Sequence, residues 1–135
     1  MEYLKIKKKK GFTLVELLAV MGILAILAAI LVPSVNSYIV RSRKTAIIVQ
    51  AREVVNAIEI YNLTSTSAIK IGVNSDPKVS DLPSNIKEYI GEDGSDKIKE
   101  AKLSEVYTIY KNVKGDIIDR IELGDNNTFK SLKDK

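Results

Sequence analysis

The sequence predicts an α+β fold in which one long N-terminal helix packs on a small antiparallel sheet. Three observations carry that reading. Residues 17–40 contain no charged side chain, apolar positions then recur at helical spacing from Ile47 to Tyr61, and the C-terminal part breaks into short segments separated by Gly, Asn and Asp.

From Leu14 to Val32 the chain is almost entirely Leu, Ile, Val, Ala and Met. As a helix this is long enough to cross a bilayer, which takes roughly 20 residues. Lys7 to Lys10 precede it, and Glu16 is the one charge inside it. An ionised group at membrane depth costs on the order of 2.5–3.5 kcal/mol on insertion scales, so it is kept only where something offsets that cost. An acid with no basic residue in its own span needs a partner from another chain. That points to assembly.

The run Lys9-Lys10-Gly11-Phe12-Thr13-Leu14-Val15-Glu16, followed by the apolar stretch and Pro33, resembles the class III signal of type IV pilins and of the related type II secretion pseudopilins. The resemblance covers residues 1 to about 62 well, and the remainder only in general organisation. It implies that a membrane-embedded prepilin peptidase cuts between Gly11 and Phe12 and methylates the new amino terminus of Phe12. It also implies assembly roles for Phe12, Glu16 and Pro33, and the ladle-shaped pilin fold. Many family members have a glycine eight residues before the proline, where this chain has Ala25; its one glycine in the span is Gly22. Any opening of the helix on assembly is therefore expected to be shifted or reduced.

Geometry makes the Phe12–Glu16 spacing chemically useful. Positions 12 and 16 lie about 6 Å apart along a helix axis at 1.5 Å per residue. With a small stagger between parallel helices, the amine of one chain reaches the carboxylate of its neighbour, and in hydrocarbon that pair is favoured over two isolated charges. The plainer alternative is a signal anchor that merely happens to carry a Glu. An ordinary secretory signal would place a small-residue cleavage site after the apolar region, and Ala25-Ile26-Leu27-Ala28-Ala29 imitates one poorly.

The formal charge of +4 and pI ≈ 9.2 invite a nucleic-acid reading, but the charge is unevenly placed. Residues 1–11 hold five of the 21 basic side chains and one of the 17 acidic ones, which leaves 16 of each beyond them. The basic leader serves to hold the N-terminus in the cytoplasm and send the C-terminus outward. The balance argues against nucleic acid as a partner. There is no Cys and no His, so the fold rests on packing alone, and most nucleophile–base dyads and transition-metal sites are removed from consideration.

Pro33 is expected to kink or locally open the helix rather than end it. Ile47, Ala51, Val54, Ile58 and Tyr61 follow spacings of four and three, one apolar stripe, assigned here to packing of the helix on the sheet. The helix is expected from Phe12 to about Leu63, closed by the polar run Asn62 to Ser67. Beyond it, Ala68 to Val73 reads as a short strand. Ser80 to Gly91 reads as a short helix with Asp81 or Ser84 as N-cap and Gly91 as stop. Ser95 to Leu103 adds a helical turn or two. Val106–Val113 and Asp116–Leu123 read as a hairpin around Lys114-Gly115, with Thr128-Phe129-Lys130 as a third strand after a turn at residues 124–127. Tyr107 and Ile109 are candidates for the face against the long helix, and Lys130 to Lys135 reads as an exposed tail. Residues 92–96 and 124–127 offer oxygen ligands without EF-hand spacing, so they are read as solvated turns and no metal is expected.

The domains expected are a cleaved leader at 1–11, a transmembrane and polymerisation helix at 12–35, an amphipathic helix half at 36–63, and a connecting region with a small sheet and tail at 64–135. By the resemblance, the function is that of a structural, non-enzymatic subunit of a type IV pilus. Such a filament supports adhesion, aggregation, surface motility or biofilm formation. A secretion pseudopilin and a competence (DNA-uptake) pilin share the same N-terminal chemistry, and a signal-anchored enzyme or binding domain is the reading from a different class. No cofactor is expected. The partners implied are further copies of the chain, minor pilins, the membrane, the prepilin peptidase and the assembly machinery. The implied location is a single-pass cytoplasmic-membrane precursor, then an extracellular filament.

Overall fold

The computed structural model describes residues 10–69, 75–91 and 93–134. The chain divides into two compact units, Met1–Tyr38 and Ile39–Lys135. Helix α1, Leu14–Thr64, runs on through Pro33. Its residues before Ile39 are all exposed. Pro33 has no backbone N–H to donate, yet helix continues on both sides of it.

The unit from Ile39 is built on the rest of α1, followed by α2 (Ser84–Ile90), α3 (Leu103–Lys111), α4 (Ile117–Arg120), β1 (Ile121–Leu123) and β2 (Phe129–Leu132). Ile47, Ile48, Ala51, Val54, Val55, Ala57 and Ile58 of α1 are buried, a wider stripe than the spacing of four and three alone gives; Tyr61 is half-buried. They join one apolar cluster with Ile86 of α2, Leu103, Val106 and Ile109 of α3, Ile117, and Phe129 of β2. Among the described residues no polar or charged side chain is buried in it.

The sheet has two strands. β1 and β2 pair antiparallel, Ile121 with Leu132 and Glu122 with Ser131, and a bulge brings Leu123 opposite Phe129. Two expectations are corrected here. Residues 106–113 do not form a strand: they lie in α3 and the turn after it, and Asp116 to Arg120 is a turn and the short α4. Leu103, Val106 and Ile109 recur every third residue and are all buried, an apolar face that only a helix provides. Its start is held from outside. The Asp76 carboxylate accepts the Ser104 backbone N–H at 2.9 Å and the Ser104 hydroxyl at 2.5 Å, and Glu105 accepts the Lys102 N–H at 3.0 Å. These Ser104 hydrogen bonds hold the Asp76 carboxyl below its ordinary value. The C-terminal segment is likewise no tail up to Lys133: Phe129 is buried, and the Lys133 N–H donates to the Arg120 carbonyl at 2.8 Å.

The helix read at 80–91 is two pieces, a 3₁₀ turn at Val79–Asp81 and α2, with Pro83 rather than Asp81 or Ser84 at the N-cap. Gly91 ends α2 at φ 79° and ψ 165°, a region only glycine occupies without strain. A 3₁₀ turn at Asp96–Ile98 follows. The strand read at 68–73 falls mostly on residues 70–73, outside the described residues; Ala68 and Ile69 are in none. Two side-chain amides fasten loops to α1. Asn62 accepts the Ile69 N–H at 2.7 Å, while Gln50 donates to the Asp93 carbonyl and accepts the Lys97 N–H, both at 2.9 Å.

That second fastening sets up a steric test at Gly94. A Cβ there would lie 2.1 Å from the Ile90 carbonyl oxygen and 2.8 Å from its Cγ2, whereas one at Gly115 would meet only the Asn112 oxygen at 3.5 Å. Gly94→Ala is expected to cost roughly 1–3 kcal/mol, about 4–8 °C in melting temperature per kcal/mol. Gly115→Ala should melt close to the parent. Equal melting of the two variants by circular dichroism would overturn this account of the 90–97 loop.

Candidate functional site

Four exposed residues lie at the start of α1, three just before it and one in its first turn. Gly11 precedes the helix, and a Cβ placed on it meets nothing within 4 Å among the described residues. Phe12 is 93% exposed. Thr13 is the residue before the helix, and Glu16 lies in its first turn. The Glu16 carboxylate accepts the Thr13 backbone N–H at 2.8 Å, and the Thr13 hydroxyl accepts the Glu16 N–H at 3.2 Å. This reciprocal pair is a capping box, which satisfies two backbone donors that a helix start otherwise leaves orphaned.

Thr13 is the residue that reading the sequence for charge alone passes over. Its signal is the Thr-x-x-Glu spacing immediately ahead of an apolar run, a recognisable helix start. Glu16 therefore has an in-chain role as a cap as well as any role toward another chain. A carboxylate has lone pairs to spare for both.

Behind this turn the apolar surface is uncovered on every side. The most apolar 18-residue window of α1 has a mean hydropathy of 2.8 and is 0% buried. Leu14, Leu17, Leu18, Met21, Leu24 and Leu31 are all more than half exposed. Monomeric soluble proteins do not present a contiguous apolar surface of this size to water. A surface of this kind marks a site of contact with a membrane or with another chain. Pro33 lies farther along the same helix.

Among the described residues no three His, Cys, Asp or Glu side chains come together. Residues 125–127 form a hydrogen-bonded 3₁₀ turn, with the Thr128 N–H and hydroxyl both donating to the Asp125 carbonyl and with Asn126 and Asn127 at positive φ. Of the other oxygen-rich loop, Glu92 lies outside the described residues.

Comparison with known proteins bears on the same end of the chain. Residues 6–32 match the family model for the prokaryotic N-terminal methylation motif. A probable minor fimbrial protein of Dichelobacter nodosus is 36% identical over 75 residues, 55% of this chain and 47% of that one. The type IV wide pilus major component PilA4 of Thermus thermophilus is 35% identical over 78 residues, 53% of this chain and 60% of the relative. The type IV major fimbrial protein FimA of D. nodosus is 43% identical over 60 residues, 44% and 38% of the two chains. The chain thus spans about half the length of the first relatives it matches, and no solved structure matches it. In its methylation motif the chain matches that family model, and over its N-terminal half it is similar to these type IV pilus and fimbrial proteins.

Proposed function

We propose that the chain is a structural subunit of a type IV pilus filament, made as a membrane precursor and polymerised through α1. The observation that carries this is the uncovered apolar surface of α1 with one carboxylate, Glu16, in its first turn. Residues 1–11 are the leader, cut after Gly11, and Phe12 becomes the methylated N-terminus. Residues 12–35 first span the cytoplasmic membrane with the N-terminus inside, then pack against the same segment of other copies and of minor pilins. Cleavage frees an amine at Phe12 that pairs with the Glu16 of a neighbour, which neutralises both groups and fixes the register between subunits. Residues 36–63 continue the helix, and 64–135 complete the exported unit. The subunit performs no catalysis; the assembly machinery supplies the energy. Adhesion, aggregation, motility or biofilm formation are the uses such a filament serves.

The test is processing. A mass spectrum of the N-terminal peptide from cells carrying the peptidase should begin at Phe12 and be one methyl group heavier than the bare sequence. Gly11→Val should leave full-length protein in the membrane and no filaments. Because a Cβ at Gly11 meets nothing within 4 Å among the described residues, that loss reads the peptidase and not misfolding. Normal cleavage of Gly11→Val, or an N-terminal peptide that keeps residues 1–11, would sink the assignment.

A further inference from the structure

Three basic residues, Arg41, Arg43 and Lys44, stand within four positions of the end of the uncharged stretch 17–40. On the outward side of a membrane segment this runs against the usual placement of Lys and Arg, which favours the cytoplasmic flank. The next acid along the helix is Glu53, about 18 Å beyond Arg41 at 1.5 Å per residue. At physiological salt the screening length is about 8 Å, so Glu53 does not neutralise the cluster.

The fold of the unit from Ile39 adds to it. Lys44 and Val40, one turn apart on α1, line a groove of about 280 Å³ together with Lys130, Lys133 and Glu122 of the hairpin. Glu122 accepts the Ser131 hydroxyl at 2.8 Å and lies 3.7 Å from the Lys133 ammonium. That hydroxyl, with the Lys133 and Lys130 charges behind it, holds the Glu122 carboxyl below its ordinary value, so it stays ionised and offsets one lysine. Among the described residues Arg41, Arg43, Lys44 and Lys130 form no ion pair. The groove keeps an excess of positive charge, and Val40 in its wall is the last residue of the uncharged stretch.

We propose that Lys44, Lys130 and Lys133, with Arg41 and Arg43, form a docking face for the phosphate headgroups of anionic lipids, which holds the exported unit on the membrane surface before assembly. The proposal rests on the pilin reading for the placement of 12–35 in the membrane. Continuity selects lipid as the occupant: Val40 lies five residues beyond the span, about 7.5 Å along the helix, which is headgroup depth, where the phosphates are. Leaving the membrane for a filament then requires these contacts to be given up.

The test uses the full chain, purified from cells carrying the peptidase and placed one copy per nanodisc. The discs contain phosphatidylcholine alone or phosphatidylcholine mixed with phosphatidylglycerol. Acylation rates of individual lysines are read by mass spectrometry, with exposed Lys114 as the internal reference. On the anionic discs Lys44 and Lys130 should label about fivefold more slowly, one basic contact's worth at an anionic surface. High salt should abolish the difference. Lys114 should not change, and Lys130→Glu with Lys133→Glu should lose the protection of Lys44. Inorganic phosphate added to neutral discs should not reproduce the protection. Equal rates on the two discs would overturn the proposal, as would protection by free phosphate. Slowing on neutral discs only when two chains share one would assign the face to contact between copies instead. The same digest reports cleavage and methylation at Phe12, so the pilin reading and this one fail separately.

Discussion

A segment starting at Ser37 and carrying Val54→Asp is expected to be largely unfolded, where the unsubstituted segment melts cooperatively. Val54 is 0% exposed, in a cluster that holds no polar side chain among the described residues. A carboxylate placed there has no hydrogen-bond donor and no cation. Full burial raises such a pKa by up to 3–5 units, about 4–7 kcal/mol at 1.36 kcal/mol per unit. A domain of this size has roughly 5–15 kcal/mol in all. Val54→Ala, which leaves only a cavity, should cost about 2–3 kcal/mol. Val49, on the same helix but 48% exposed, should tolerate Asp within about 1 kcal/mol.

The pH dependence separates charge burial from lost packing. The folded-state pKa of the new Asp lies above its unfolded value, so the electrostatic penalty is complete above the folded pKa. It fades as pH falls toward the ordinary aspartate range near 4. Acidification to about that value should therefore move Val54→Asp toward the stability of Val54→Asn. A Val54→Asp segment that melts like the parent at neutral pH would mean that this side of α1 is not packed.

How far the sequence discloses such features depends on whether a neighbour in the chain sets them. The uncharged stretch and the stripe at Ile47, Ala51, Val54 and Ile58 are patterns of composition and spacing along one helix, and they can be read directly. Gly91 as the stop of α2 is readable for the same reason, since its conformation is a local requirement. Residues 106–113 mislead because their β-branched and aromatic side chains ahead of Lys114-Gly115 favour a hairpin. The outcome is settled by Asp76, 28 positions before Ser104, and by burial of Leu103, Val106 and Ile109 against other elements. Neither is visible in a local window. The strand at Phe129–Leu132 is legible only at its start: Thr128-Phe129-Lys130 reads as a strand, but Lys130 and the lysine beyond Leu132 make the rest read as a tail, and only the pairing with β1 shows that Leu132 belongs against the core. At the site itself, the charge of Glu16 draws the eye toward another chain and hides the cap it forms with Thr13.

That double role of Glu16 sharpens the last expected result. Glu16→Ala removes a costly acid from the apolar segment, so membrane insertion of the precursor should be retained or slightly improved. Cleavage after Gly11 should persist, because the leader and Gly11 are intact. Two things are lost: the cap on Thr13, typically about 1 kcal/mol, and the proposed partner for the Phe12 amine of a neighbouring subunit. Removing one member of a buried pair costs on the order of 3–5 kcal/mol, and the loss recurs at every subunit. The expected phenotype is processed, membrane-resident protein with few or no surface filaments by electron microscopy when the variant is the sole copy. Coexpressed parent should rescue it partly, through mixed filaments that still contain intact pairs. Glu16→Gln divides the two losses, since an amide oxygen still accepts the Thr13 N–H and completes a capping box but carries no charge for the amine. If filament assembly needs the ion pair, Gln should fail like Ala; filaments restored by Gln would show that the cap is what assembly requires. Parental filament numbers in Glu16→Ala itself would mean that the acid is incidental, and a generic signal anchor would become the better account of residues 1–35.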